Sequence, residues 1–200
     1  MIKKFIIKKA MKTIKNYYPE YNKEQLERIQ YGLEAVYLTI TKILVIIVAS
    51  LVLKTFKETI IFLLLFNVLR TTGFGLHATK SWACWITSIP AFVCIPLICK
   101  YVEIPNLILI TTAVISLTAF IFFAPADTEK RPLIRKKRRL IYKVLTILFG
   151  ITYLLLTIFV DNLFLKKAIP FAMLIEAIVI CPATYKLFKL PYNNYKRYKP

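Results

Sequence analysis

The sequence predicts an all-α membrane protein, a bundle of about six transmembrane helices preceded by a basic amphipathic N-terminal helix. Three observations carry that prediction. Of its 200 residues 58% are hydrophobic, and the mean hydropathy is +0.61, above the usage of a soluble domain. The apolar residues are blocked into long runs that a soluble fold would interrupt with polar surface. The 29 Lys and Arg, against 10 Asp and Glu, sit almost entirely between those runs, where cationic side chains meet lipid headgroups and fix topology. A net charge of +19 would suggest nucleic acid in a soluble protein. Its placement here assigns it to the lipid bilayer, and no nucleic-acid partner is expected.

Residues 1–18 read as the amphipathic helix. Ile2, Phe5, Ile6, Ala10, Ile14 and Tyr17 recur at helical spacing with six lysines between them, the pattern of a helix lying in the membrane interface. Pro19 ends it. Asn22, with Gln25 three residues on, is a plausible N-cap for the polar stretch 22–34, which runs on into the first apolar span. Six spans follow, at 35–53, 58–72, 82–100, 104–124, 140–160 and 168–188, most of them near the ~20 residues that cross a bilayer. The second is short and either crosses a thinned bilayer or turns back. No cleavable signal peptide is evident. Without a repeat or a low-complexity linker, residues 1–200 read as a single domain.

With the N-terminus inside, the inner segments 1–34, 70–80, 125–143 and 186–200 carry 8, 2, 8 and 5 basic residues. The outer loops near 54–57, 100–103 and 161–167 carry 2, 1 and 2. The positive-inside rule therefore selects a multi-pass protein of the cell membrane with both termini cytoplasmic. Gly73 to Cys84 and Asp127 to Arg139 then share the cytoplasmic face.

Of the four cysteines, Cys84, Cys94, Cys99 and Cys181, none forms a CxxC pair, which argues against a disulfide scaffold or zinc cluster. A single histidine excludes a His-rich metal site, and no cofactor or metal is expected. Cys94, Cys99 and Cys181 read as packing residues. Cys84 differs. It lies at an inner membrane boundary, seven residues after His77, in Arg70-Thr71-Thr72-Gly73-Phe74-Gly75-Leu76-His77-Ala78-Thr79-Lys80-Ser81-Trp82-Ala83-Cys84. A cysteine nucleophile needs a partner to hold it as thiolate, and histidine is the usual one. On one continuous helix the two would stand about 10.5 Å apart along the axis, too far for contact. The pair works only if the backbone bends between them. Gly73 and Gly75 supply permissive backbone, so we expect a helix beginning near Ser81, with His77 folding back over its first turn. There the dipole and free N–H groups would favour a thiolate and an oxyanion. The plainer readings are an interfacial histidine and a cysteine acting as a small hydrophobe.

Arg70, Gly75-Leu76-His77-Ala78 and Cys84 resemble the core motif of the AgrB family, the accessory gene regulator B proteins of Gram-positive quorum sensing. Tyr31-Gly32-Leu33-Glu34 resembles the family's pre-membrane segment. Phe123-Ala124-Pro125-Ala126-Asp127, followed by Lys130-Arg131-Pro132 and a basic run, resembles its second inner loop. The resemblance implies a membrane cysteine endopeptidase acting on an AgrD-like propeptide. Cys84 would release the acidic C-terminal tail and form a thioester. A substrate cysteine or serine would then close a thiolactone or lactone, the autoinducing peptide.

Several residues are expected to support that chemistry. Glu34, at the mouth of the first span, either orients the His77 imidazole or pairs with a nearby Lys or Arg. Arg70 either anchors at the interface by snorkelling, braces the glycine loop or binds a substrate carboxylate. Asp127 could replace Glu34, or hold its own loop. Arg135, Lys136 and Lys137 open a basic run that anchors topology and could attract an acidic tail. Glu176 falls in the outer half of the sixth span, far from His77, and it and Lys42 have no assigned role. Two other readings stay open, a small transporter and a non-enzymatic peptide-binding membrane protein. A homodimer is the expected assembly, because a partner could bury the short second span.

Overall fold

The computed structural model describes residues 2–76, 81–128 and 132–197, with the side chains of 2, 4 and 81–84 outside that description. The chain divides into two compact units, residues 1–48 and 49–200. Among the described residues every regular element is helical, and an isolated bridge joins Phe74 and Ala126. The chain is an all-α membrane protein.

The first unit holds α1 (Ile2–Tyr17) and most of α2 (Lys23–Val52). The expected cap is present in reciprocal form. Gln25 N–H donates to Asn22 Oδ1, and Asn22 N–H donates to Gln25 Oε1, both at 2.9 Å. Two donors at the start of the helix are thereby satisfied, the logic of a capping box. The 30 residues of α2 could span about 45 Å. It is long and apolar enough to cross a bilayer, and the same holds for the helices Asn106–Phe123 and Lys136–Phe159.

The second unit is built on α3 (Phe56–Gly73), α6 (Asn106–Phe123), α7 (Lys136–Phe159) and α8 (Leu163–Ile180), with α5 (Ile95–Tyr101) packed against α3 and α8. Leu69, Ala113, Phe120, Tyr153, Ile169, Met173, Ala177 and Ile180 form its main core. Large apolar side chains on the opposite faces, such as Leu107, Ile115, Phe122, Leu148 and Phe159, are exposed, as a bilayer-facing surface requires. Gly150 lets α7 approach α6 closely. A Cβ there would stand 2.8 Å from Leu117 Cδ1 and 2.9 Å from Phe120 Cδ2, the small-residue contact that drives helix association in lipid. Buried Ser116, Thr146 and Thr157 return their hydroxyls to carbonyls four residues back, so these three donors are satisfied within their own helices.

Two spans differ from their sequence reading. The second agrees with the first of its two readings, since α3 is a continuous helix of 18 residues, about 27 Å long. The third is interrupted. α4 (Ser81–Ile89) passes into α5 through a π-turn, Pro90–Cys94. Pro90 has no N–H to give to the preceding turn, and the ladder widens there until Ile95 N–H bonds to Pro90 O. The sixth starts five residues earlier than expected and ends at Ile180. Pro182 drives Cys181 into extended backbone (φ −65°, ψ 133°), and a short α9 (Pro182–Leu187) follows. Cys99 is buried as expected, but Cys94 is exposed.

One end of this unit is clasped by lysines. Lys100 Nζ meets Glu58 at 2.9 Å and donates to Lys54 O at 2.6 Å, and Lys167 Nζ donates to Val102 O at 2.9 Å. The other end holds residues 73–76, 124–128 and the C-terminal segment.

Candidate active site

The chain bends after α3 because two consecutive residues adopt positive φ, Phe74 at 61° and Gly75 at 78°. The bend is locked by backbone groups that two broken helices leave over. At the end of α3, Gly73 O accepts from Ala126 N–H at 3.0 Å, and Gly75 N–H returns a bond to Ala126 O at 2.7 Å. At the end of α8, helical bonding stops at Cys181, and Val179 O accepts instead from Leu76 N–H at 3.1 Å. Arg70, in the last turn of α3, closes the arrangement from below. Its Nη2 donates to Leu76 O at 2.7 Å and to Gly75 O at 3.2 Å.

Glu176 lies under the same turn, with a fully buried side chain, and its Oε2 is 3.7 Å from Arg70 Nη1. The two glycines make room for this pair. A Cβ on Gly73 would collide with Glu176 Oε1, and one on Gly75 would stand 2.7 Å from Arg70 Nη1 and 2.9 Å from Val179 Cγ1. Gly75 therefore takes the positive φ expected of a permissive residue, while Gly73 stays helical and serves close packing. Glu176 stands nearer the end of its span than the sequence reading put it, while its distance to His77 lies outside the described residues. Because α8 ends at Ile180, Glu176 stands one turn from its end, beside the residues that lead into His77.

The 124–128 loop is held in turn by Asp127. This carboxylate is buried and accepts three backbone N–H groups, from Asn194 and Tyr195 at 2.8 Å each and from Leu133 at 3.2 Å. Tyr185 O–H donates to Asp127 O at 3.1 Å, and the Arg139 guanidinium lies 3.7 Å from the centroid of the Tyr195 ring. Arg135 caps the start of α7 and Lys136 and Lys137 occupy its first turn, all exposed.

A family model described as AgrB, accessory gene regulator B, matches residues 7–180. The chain belongs to the accessory gene regulator B family. It is 31% identical over 175 residues to an AgrB-like protein of Clostridium acetobutylicum, covering 88% of this chain and 84% of the relative. An AgrB-like protein of Listeria innocua is 32% identical over 172 residues, 86% of this chain and 84% of its own. The accessory gene regulator protein B of Staphylococcus aureus strain MW2 is 30% identical over 165 residues, 80% of this chain and 85% of its own. No solved structure matches.

In this AgrB-family chain, Arg70 and Gly75 meet at one turn, Asp127 holds the loop whose Ala126 pairs with that turn, and the turn leads in sequence to His77. His77 itself lies outside the described residues. Ser81 and Cys84 are the first and fourth residues of α4, with their side chains outside the description. Glu34 belongs to the first unit, where its Oε2 pairs with Lys3 Nζ at 2.7 Å and its Oε1 accepts from Gln30 at 3.3 Å. The Lys3 hydrogen bond holds its carboxyl below the ordinary carboxylate range. Sequence reasoning missed Glu176 as the partner of Arg70. Two opposite charges in two apolar spans are a signal for such a pair, but the signal is usable only once Pro182 is taken as the end of α8.

Proposed function

We propose that this protein is a cysteine endopeptidase of the cell membrane that takes part in quorum-sensing autoinducer processing by cleaving an AgrD-like propeptide. One observation carries the reading. In a chain of the accessory gene regulator B family, the turn that leads directly into His77 is braced by Arg70, Glu176, Ala126 and Val179, and Cys84 follows within the first residues of α4. A braced approach is what a catalytic base needs, since catalysis depends on fixed geometry.

In this reading His77 removes the Cys84 thiol proton, and the thiolate attacks the scissile carbonyl carbon. The tetrahedral intermediate collapses with loss of the amine of the acidic tail, which takes the proton from the imidazolium. A thioester remains on Cys84. A cysteine thiol or serine hydroxyl within the substrate gives its proton to His77, adds to that carbonyl and expels the Cys84 thiolate, closing a thiolactone or lactone. A partly dry site at the membrane boundary favours this internal nucleophile over water. Charge counting supports a cytoplasmic site with both termini inside. Arg135, Lys136 and Lys137 would draw the acidic tail toward it, Glu34 is the candidate orienting acid, and a homodimer in the bilayer is the proposed assembly. Propeptide cleavage in membranes tests the reading. Cys84→Ser and His77→Ala should each abolish cleavage at unchanged protein level, and cleavage surviving in either variant would refute it.

A further inference from the structure

We infer that Glu176 is a positioning residue for His77, acting through Arg70. This inference rests on the peptidase reading and deepens it. Glu176 lies in an apolar helix, among Ala172, Met173, Ala177 and Ile180, all buried. A carboxylate so placed requires a cationic partner, and among the described ion pairs that partner is Arg70.

The guanidinium is divided between two tasks. Nη1 faces Glu176 at 3.7 Å, while Nη2 holds the carbonyls of Gly75 and Leu76. Leu76 is the residue before His77 in the chain. Neither Arg70 Nη1 nor the Glu176 carboxylate has a hydrogen-bond partner of its own, so the charge on Glu176 has Arg70 to act on and nothing else described to satisfy it. The fork of the guanidinium is rigid. A pull on one nitrogen therefore sets where the other can reach. Gly73 and Gly75 both leave out a Cβ that would strike this pair, so two of the chain's four glycines serve the same arrangement. A cation at the end of α3 is also favoured by the helix dipole, whereas a carboxylate there is not. The pair stands only as a pair.

The test uses full-length protein in lipid vesicles and reads Cys84 by its rate of thiol alkylation as a function of pH. The other cysteines are replaced by alanine, except buried Cys99. Wild-type Cys84 should react with a midpoint below the ~8.5 of an unperturbed thiol, and His77→Ala should abolish that shift. Glu176→Gln should move the midpoint toward that of His77→Ala and slow propeptide cleavage about tenfold or more in kcat, with KM held. The Glu176→Gln/Arg70→Met double variant should be no slower than Arg70→Met alone, because the two act as one unit. Glu58→Gln, which breaks the ion pair at the opposite end of α3, should leave the midpoint in place. If Glu176→Gln fails to accumulate, Glu176→Asp carries the same comparison and should give an intermediate midpoint. A Glu176 variant that keeps the His77-dependent midpoint and wild-type kcat overturns the inference and leaves the peptidase reading standing. A wild-type midpoint that does not depend on His77 overturns both.

Discussion

The buried Asp127 carboxylate accepts the backbone N–H of Asn194 at 2.8 Å, so the loop that pairs with the Gly73–Gly75 bend is itself tied to the C-terminal segment. Two further N–H groups, of Tyr195 and Leu133, share the same carboxylate. Asp127→Ala leaves one buried and two part-buried donors without their acceptor and should cost about 1–3 kcal/mol. Thermal unfolding in detergent should show the loss, with Asp127→Asn intermediate. An unchanged Tm would mean that the C-terminal segment holds itself.

The glycine substitutions separate three environments. Gly75→Ala must adopt positive φ, at about 1–2 kcal/mol, and its Cβ would push into Arg70 and Val179. Gly73→Ala would strike the Glu176 carboxylate. Both should lower propeptide cleavage sharply. Gly32, inside α2, has nothing within 4 Å of a built Cβ, so Gly32→Ala should gain up to about 1 kcal/mol of helix stability and leave cleavage intact. The three variants assayed side by side decide whether the glycines matter for space or for flexibility.

At the α6–α7 contact, Gly150→Ala forces a methyl against Leu117 and Phe120 and should destabilise by about 1–3 kcal/mol. Because this contact lies away from the bend, the residual folded protein should cleave at its normal rate. Denaturation in detergent micelles and specific activity per folded molecule report the two effects separately.

The pairing of Glu34 with Lys3 should depend on pH. The carboxyl is held below its ordinary value by the Lys3 hydrogen bond, so its contribution is present above the ordinary carboxylate range and is lost as pH falls through the lowered value. Amide protection factors in α1, corrected for intrinsic exchange, should therefore be constant from neutral to mildly acidic pH and fall only in stronger acid. Glu34→Gln should show the lowered protection at neutral pH. The pair is partly exposed, so added salt should weaken it as well.

Much of this architecture was legible from apolar runs, because burial in lipid demands long unbroken helices. The reciprocal Asn22–Gln25 cap could be read residue by residue. The end of α8 could not be read from hydropathy, since the apolar run continues through Cys181 and the break is set by Pro182. That single offset placed Glu176 in the wrong half of its span. The pairing of Glu176 with Arg70 depends on the register between two helices distant in sequence, and no local pattern encodes that. Residues 77 and 84 stand out in the sequence as a candidate pair through their types and spacing, and their neighbours carry the family resemblance. The bracing of residues 73–76 comes from carbonyls freed at two helix ends, which carry no side-chain signal at all.

The account is tested most directly by trapping the acyl-enzyme. Purified protein in lipid vesicles, quenched in acid during turnover of an AgrD-like propeptide, should carry on Cys84 the mass of the propeptide without its acidic tail. The adduct should be labile to hydroxylamine, as a thioester is, and absent from Cys84→Ala and His77→Ala. Tail release by Cys84→Ala at the wild-type rate, with no adduct on the wild type, would contradict the account.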